Sequence, residues 1–417
     1  MDRSVVAVRL TADIVWEDAP RRPFSLFYET DGAFAGDLDQ SADAFLCSVA
    51  ISASRDRERR ILLDRPVCPR LARGVANALS ILKRWYPGSR TLPRLESRGD
   101  FRRDHGPGQR AALCLTGGVD SLHTLWRNRR EHSPRDPRFF RRAVYVVHLS
   151  FPPGDALPRA RDVAQRQLEA LKTISREMEL DLCAIRTNVR AIEPELSFSQ
   201  AEGLASLLSA AGHFGSRGIG TLSIASSSYD SFNQRPWGTH PLLDSNFSSA
   251  GLQVIHEDAG MPRTEKVRNI ARWELARRNL FVCFEGPLAD GRANCGRCEK
   301  CLRTMTAWLA VGGGDAPEAF GGSSVTPEAI LQMPLSYDPN EFPYLWSPLA
   351  ASMEETGRRE LALAIRRRLA EARRYLRWRD ERDWKGAARK LDRRLLGGWV
   401  TSTSRRIRGL SGPPEIN

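Results

Sequence analysis

The chemistry in this chain is concentrated in two stretches. The first runs Ala111-Ala112-Leu113-Cys114-Leu115-Thr116-Gly117-Gly118-Val119-Asp120-Ser121-Leu122. A short apolar run stops at two glycines, and Leu122, Leu125 and Trp126 then fall at helical spacing, so the stretch reads as strand, tight turn, helix. Such a turn lets backbone N–H groups approach an anion, and the helix N-terminus adds its positive dipole end. Thr116 and Ser121 supply hydroxyl donors, and Asp120 can cap the helix or hold a Mg²⁺ that travels with phosphates. No G-K-[ST] follows the turn, so the Walker pattern is excluded. The plain alternative is an ordinary strand-to-helix turn with an Asp cap.

The second stretch, Cys295-Gly296-Arg297-Cys298-Glu299-Lys300-Cys301, sets three thiols at C-x-x-C-x-x-C spacing, with Cys283 upstream. Four thiolates complete a tetrahedral zinc shell and leave no open position for a water nucleophile, so such a site is structural. An iron–sulfur cluster uses the same ligands, and a disulfide pair is the third alternative. The other four cysteines, Cys47, Cys68, Cys114 and Cys183, are scattered and read as small buried hydrophobes.

Further candidates lie between the two. Arg263 and Lys266 open a predicted helix and can reach a β- or γ-phosphate; the alternative is a solvated helix start capped by Thr264. The loop from Trp237 to Asp244 carries an aromatic ring, His240 and a carboxylate. It can wall a flat substrate by stacking, with Asp244 accepting from ring N–H groups. His148, at a predicted strand end, can touch a nucleotide, and His256, Glu257 and Asp258 end the strand that follows the Trp237–Asp244 loop.

The elements that must position these groups follow from hydrophobic periodicity. From about Gln109, predicted strands at 111–115, 144–149, 181–187, 221–226, 252–256 and 280–284 alternate with predicted helices at 121–130, 160–179, 200–214 and 264–278. That alternation marks an α/β, Rossmann-like parallel sheet with helices on both faces, whose ligands sit at the carboxyl ends of the strands. Residues 1–104 read as a small α+β module, with strands at 5–10, 24–28 and 44–50 and an amphipathic helix over 71–85. Residues 109–312 form the nucleotide domain with the metal site, and 323–417 a basic helical region. In that region Leu361, Ile365, Leu369, Ala372 and Leu376 make an apolar stripe, with Glu354/Arg358 and Glu355/Arg359 as four-residue ion pairs.

Bulk properties bound the class. The 417 residues exceed the size at which one core usually divides. At 41% hydrophobic and 27% charged the chain is globular, and no apolar run approaches the roughly 18 residues a bilayer requires. The start lacks a signal-peptide pattern, so a cytoplasmic location is expected. Net charge is +13, and residues 351–417 alone carry 18 Lys/Arg against 9 Asp/Glu. With Tyr375, Trp378, Trp384 and Trp399 interleaved, that region can contact nucleic-acid phosphates or is a solvated face with packing aromatics.

Together the two stretches carry a family resemblance over residues 109–309. The string T-G-G-x-D-S is similar to the S-G-G-x-D-S signature of the PP-loop ATP pyrophosphatases, with Thr116 for the first Ser. The C…C-G-x-C-x-x-C site resembles that of the 7-cyano-7-deazaguanine synthase (QueC-like) family, here as a divergent branch with N- and C-terminal extensions. The resemblance implies ATP cleavage between the α and β phosphates. A substrate carboxylate attacks the α-phosphate to give an acyl-adenylate and pyrophosphate. Ammonia then displaces AMP to form an amide, and a second ATP can drive dehydration to the nitrile. It carries the phosphate loop onto Thr116, Gly117, Gly118, Asp120 and Ser121, the Zn²⁺ ligands onto Cys283, Cys295, Cys298 and Cys301, and a basic residue onto Lys266. It implies ATP, Mg²⁺ and Zn²⁺, and a small-molecule carboxylate or carboxylate-bearing partner, in 7-deazaguanine metabolism or antiviral defence. A protein partner or a homo-oligomer is compatible with it. Two other functions stay open: a PP-loop enzyme that modifies tRNA or another nucleic acid, and a non-catalytic nucleotide-binding subunit.

Overall fold

The computed structural model describes residues 7–100, 108–147, 157–195, 198–227, 236–283, 293–314, 316–333 and 341–382. In chain order it contains β1 (Ala7–Ile14), β2 (Phe24–Asp31), α1 (Asp43–Asp56), β3 (Arg60–Leu63), α2 (Pro69–Trp85), β4 (Arg94–Ser97), β5 (Arg110–Cys114), α3 (Val119–Glu131), β6 (Phe140–Val146), α4 (Leu157–Glu177) and β7 (Asp181–Thr187). There follow a π turn (Ser199–Gly203), α5 (Leu204–Phe214), β8 (Ile219–Ala225), β9 (Gln253–Glu257), α6 (Arg263–Ile270), α7 (Glu274–Asn279), α8 (Glu299–Ala310), α9 (Pro327–Gln332), α10 (Glu341–Glu355) and α11 (Arg359–Arg382).

Seven strands form one sheet in the order β1-β2-β7-β6-β5-β8-β9. The five from β7 to β9 run parallel, while β1 and β2 form an antiparallel hairpin whose second strand pairs antiparallel with β7 at Tyr28↔Thr187 and Glu29↔Arg186. Strand β5 is central: the chain winds one way through β6 and β7, then returns to the other side of β5 for β8 and β9. This is the doubly wound arrangement, and its crevice opens beyond the carboxyl end of β5.

Alternation along β5 assigns the two faces. Ala112 and Cys114 point into a core shared with α1, α2 and α5, while Ala111, Leu113 and Leu115 point into a second core shared with α3, α6, α8, α10 and α11. Nearly half of the buried residues of the first core come from the first hundred positions, among them Leu26, Tyr28, Leu46, Leu71, Leu79 and Leu82. The N-terminal segment and the stretch after 109 therefore share a sheet and a core. All four scattered cysteines are buried, as their apolar contexts predict. Among the described residues no helix is long and apolar enough to cross a membrane.

Several elements differ from the sequence expectation. Residues 44–50 are helical, inside α1. Its run of small and apolar residues is buried nearly all round, against α5 and α2 and with Ser48 bonded to Tyr28 of β2, which erases the periodicity that separates helix from strand. The predicted helix over 264–278 is two, divided where Trp273 N–H turns back onto Ile270 C=O. Phe281–Cys283 join no ladder, because their amides are used locally: Phe281 N–H by Gly117 C=O, Val282 and Cys283 N–H by the Asn294 side chain. In the C-terminal region the stripe from Leu361 to Ala372 is buried as expected. The four-residue ion pairs are not formed, since Gly357, at φ +75°, separates α10 from α11 and Glu354 pairs with Arg366 instead. Trp384 and Trp399 lie outside the described residues.

Candidate functional site

The turn after β5 stands at the switch point of the sheet. Gly117 has φ +74°, a left-handed conformation that strains any side-chain-bearing residue, and Gly118 is extended before α3 begins at Val119. Two hydroxyls stitch the turn together. Thr116 Oγ1 lies 3.2 Å from Ser121 Oγ, Thr116 N–H donates to Ser121 Oγ at 3.3 Å, and Ser121 Oγ donates to Gly118 C=O at 3.2 Å. From outside, Gln167 Nε2 donates to Thr116 C=O at 2.7 Å and Phe281 N–H to Gly117 C=O at 2.8 Å.

Asp120, in the first turn of α3, faces a group of cations. Arg263 Nη1 is 2.5 Å from Asp120 Oδ2, and Lys266 Nζ is 3.5 Å from Oδ1. Lys266 is fully buried and also donates to Ser226 Oγ at 2.7 Å and Ser226 C=O at 2.9 Å. Burial pushes the Asp120 carboxyl up, but Arg263 and Lys266 outweigh that and hold it below the usual aspartate range. Helix α8 brings two more cations, Lys300 and Arg303. The Lys300 charge acts on Asp120, and Arg303 acts on Arg263. Burial, with repulsion from Arg263 and Arg303, pulls the Lys300 ammonium down to about 7. Against Arg263, Lys266, Arg303 and a Lys300 poised near neutrality stand Asp120 and Glu299, the latter 3.0 Å from Arg303 Nε. The excess is positive, at a helix N-terminus, beside a glycine turn: the composition of an oxyanion site. Nothing in the local sequence marks Lys300 and Arg303, because what they face is set by the packing of α8 near α3 and α6.

Asp258 ties the same elements from behind. It sits at φ +58°, a conformation Asp tolerates better than most residues. Its carboxylate accepts from Thr124 Oγ1 at 3.1 Å and from Arg127, and lies 3.1 Å from His123 Nδ1. His123 Nε2 lies 3.1 Å from Asn269 Nδ2 on α6. With Nδ1–H directed at the carboxylate, Nε2 accepts from Asn269, so the buried ring is satisfied at both ends. The relay fixes α3, which carries the turn, against α6, which carries Arg263 and Lys266.

The four clustered cysteines converge. Their sulfurs all lie within 4.8 Å of one another, with Cys283–Cys298 at 4.0 Å and Cys295–Cys301 at 3.8 Å. Sulfurs at 2.3 Å from a tetrahedral centre stand about 3.8 Å apart, so the group can hold a metal ion. None of the eight cysteines is in a disulfide. Gly296 turns at φ +70°, and a Cβ there would meet Ser323 Oγ at 2.3 Å. Asn294, unremarked in the sequence, is fully buried and joins the two limbs. Its Oδ1 accepts from Val282 and Cys283 N–H, and its Nδ2 donates to Leu280 and Ala319 C=O. Cys298 stands at the N-cap position of α8 and Cys301 lies in its first turn, so a metal held here would anchor the helix that carries Lys300 and Arg303.

The Trp237–Asp244 loop lies against the first core. Trp237 is partly buried, and Gly238 is bonded to Gln200 C=O and Ala205 N–H beside the π turn. Asp244 is fully buried and does not offer its carboxylate outward. Oδ1 accepts from His240 N–H at 2.8 Å and Oδ2 is 2.7 Å from His256 Nδ1. The task expected of it, accepting from substrate ring N–H groups, is replaced by holding His256. His148 lies outside the described residues. No family model, curated protein or solved structure matches the chain.

Proposed function

We propose that the protein is an ATP-dependent synthase that adenylates a carboxylate, releasing pyrophosphate and then AMP, and that ammonia captures the acyl group as an amide, which a second ATP can activate for dehydration to the nitrile. One observation carries this reading: Arg263 and Lys266 pair with Asp120 in the first turn of α3, beside Thr116-Gly117-Gly118 at the switch point of the sheet, with Lys300 acting on the same carboxylate and Arg303 on Arg263. A cleavage between the α and β phosphates needs stabilisation of departing pyrophosphate more than any covalent protein group. In this reading the turn amides and the Thr116 and Ser121 hydroxyls receive the phosphates. Arg263 and Lys266, now on Asp120, take up negative charge as pyrophosphate leaves. Asp120 is the carboxylate placed to meet Mg²⁺, which would supply Lewis-acid neutralisation of phosphate charge. Ammonia replaces the AMP oxygen at the acyl carbon, giving an amide and AMP.

Cys283, Cys295, Cys298 and Cys301 would hold Zn²⁺, and an all-sulfur set supplies folding energy rather than an activated water. Its two limbs reach the phosphate site, one through Phe281 N–H on Gly117 and the other through α8. The acceptor on this reading is 7-carboxy-7-deazaguanine or a related carboxylate. Incubation with ATP, Mg²⁺, ammonium and 7-carboxy-7-deazaguanine, analysed by mass spectrometry, should give AMP and a product at the amide or nitrile mass. Asp120→Ala should lower AMP formation by about 100-fold or more, the scale of losing one transition-state charge contact. AMP without a changed deazaguanine would move the acceptor elsewhere; no AMP would sink the adenylation reading. A nucleic-acid substrate is favoured by one feature, the exposed Arg373, Arg374 and Arg377 on α11. Salt-dependent RNA binding that is lost on charge reversal of these three would support it.

A further inference from the structure

Helix α4 meets the glycine turn along one face. Val163, Gln167 and Leu171 stand four residues apart and so share that face. Val163 is buried with Phe281, whose N–H holds Gly117 C=O. Leu171 is fully buried, and its Cδ2 lies 3.6 Å from where Gly117 would carry a Cβ. Between these two apolar contacts sits one amide side chain with both ends in use. Gln167 Nε2 donates to Thr116 C=O at 2.7 Å, and Tyr145 Oη donates to Gln167 Oε1 at 2.8 Å.

This chain of donors runs one way. With the amide turned over, Gln167 Oε1 would face the Thr116 carbonyl oxygen, acceptor against acceptor. Tyr145, buried on β6, has its phenol pushed up by that burial, so the hydroxyl keeps the proton it donates. The residue held at the far end, Thr116, is exposed. Its N–H donates to Ser121 Oγ, and its Oγ1 lies 3.2 Å from Ser121 Oγ and 3.4 Å from Gly118 N. The Thr116–Gly117 peptide is trans and planar, so fixing its carbonyl also fixes the direction of Gly117 N–H.

We propose that Gln167, aligned by Tyr145, is a positioning residue for anion binding at this turn: it holds the Thr116–Gly117 peptide in the orientation that receives a phosphate. That the phosphate belongs to ATP rests on the function proposed above; the positioning itself does not. Both side chains act through the backbone of the turn. A glycine peptide has more conformations to lose than any other, and a turn that must be ordered on binding loses affinity by that amount. Anchors on two successive carbonyls, Gln167 on Thr116 and Phe281 on Gly117, order it in advance.

The test uses the full chain labelled with ¹³C-carbonyl threonine and ¹⁵N-glycine, with inorganic pyrophosphate as probe. Thr-Gly occurs only at Thr116-Gly117 and Thr356-Gly357, so a carbonyl–amide correlation spectrum shows one peak from the turn and one internal control. Pyrophosphate should move the Gly117 peak and leave the Gly357 peak. Gln167→Met, which keeps the length of the side chain and loses both hydrogen bonds, should move the Gly117 peak before any pyrophosphate is added. It should also weaken pyrophosphate binding about fivefold, the scale of one neutral hydrogen bond. Tyr145→Phe should do the same to a smaller extent, and an unmoved Gly357 peak reports an intact fold in both variants. A Gly117 peak unmoved by Gln167→Met, full pyrophosphate affinity in that variant, or no response of the unsubstituted protein to pyrophosphate would overturn the proposal. The expected responses in a protein that forms no AMP would keep the positioning role and remove only its link to adenylation. AMP formed at the full rate by Gln167→Met would do the reverse.

Discussion

At the scale of single residues, the site is governed by which buried charges have partners. Asp120 stays ionised through neutral pH because Arg263 and Lys266 outweigh its burial, so its contribution to stability is lost only in acid, as pH falls through a pKa below the usual aspartate range. His240 titrates in a more accessible window. Burial, with His256 nearby, pulls it down from 6.5 to about 4. The unfolded chain therefore takes up a proton before the folded one does. The stability this histidine contributes is complete above pH 6.5 and declines as pH falls toward 4. Urea denaturation from pH 7 to pH 4.5 should show this group adding a slope of up to about 1.4 kcal/mol per pH unit. His240→Asn should remove that component, and an unchanged profile in the variant would contradict the assignment.

At the scale of elements, the four-cysteine cluster and the glycine turn form one mechanical unit. Phe281, two residues before Cys283, donates to Gly117 C=O, and α8, which begins at the metal loop, supplies Lys300 and Arg303. Cys295→Ser should cost the protein its bound metal, measured by elemental analysis. It should also weaken nucleotide binding by roughly tenfold, because a helix terminus and one turn contact lose their anchor. Full ATP affinity in a metal-free, folded variant would separate the two sites. The Asp258 relay acts at the same scale, since one carboxylate holds α3 and, through His123 and Asn269, α6. These contacts join residues more than 100 positions apart, which no local pattern encodes.

At the scale of the molecule, the first hundred residues complete the main sheet and one of its two cores. β2 pairs with β7, α1 packs on α5, and the buried Arg90–Glu202 pair links the segment before β4 to the π turn. A chain begun at residue 105 would expose Cys114, Val144, Leu222 and Ile224 on an unpartnered sheet face. It should aggregate when expressed alone and recover solubility when residues 1–104 are co-expressed; a soluble, cooperatively melting truncation would show instead that the segment is dispensable.

The sequence by itself determined the local chemistry. Gly117-Gly118 between an apolar run and a helical pattern placed the turn, the spacing of Cys295, Cys298 and Cys301 placed three sulfurs of the metal site, and the strand–helix alternation after 109 placed the parallel strands. These are short-range properties, fixed by periodicity and by backbone conformations that few residues adopt. Where the local signal was symmetric it misled, as in α1, whose burial on nearly every side hides the helical period. Tertiary structure alone decided the strand order that sets the turn at the switch point, the joining of β1 and β2 to the sheet, and the use of Asp244 to hold His256. It also decided the gathering of Arg263, Lys266 and Lys300 around Asp120, with Arg303 beside Arg263. Each depends on segments far apart in sequence meeting in one packed arrangement, and hydrophobic period fixes which face is buried but not what it is buried against.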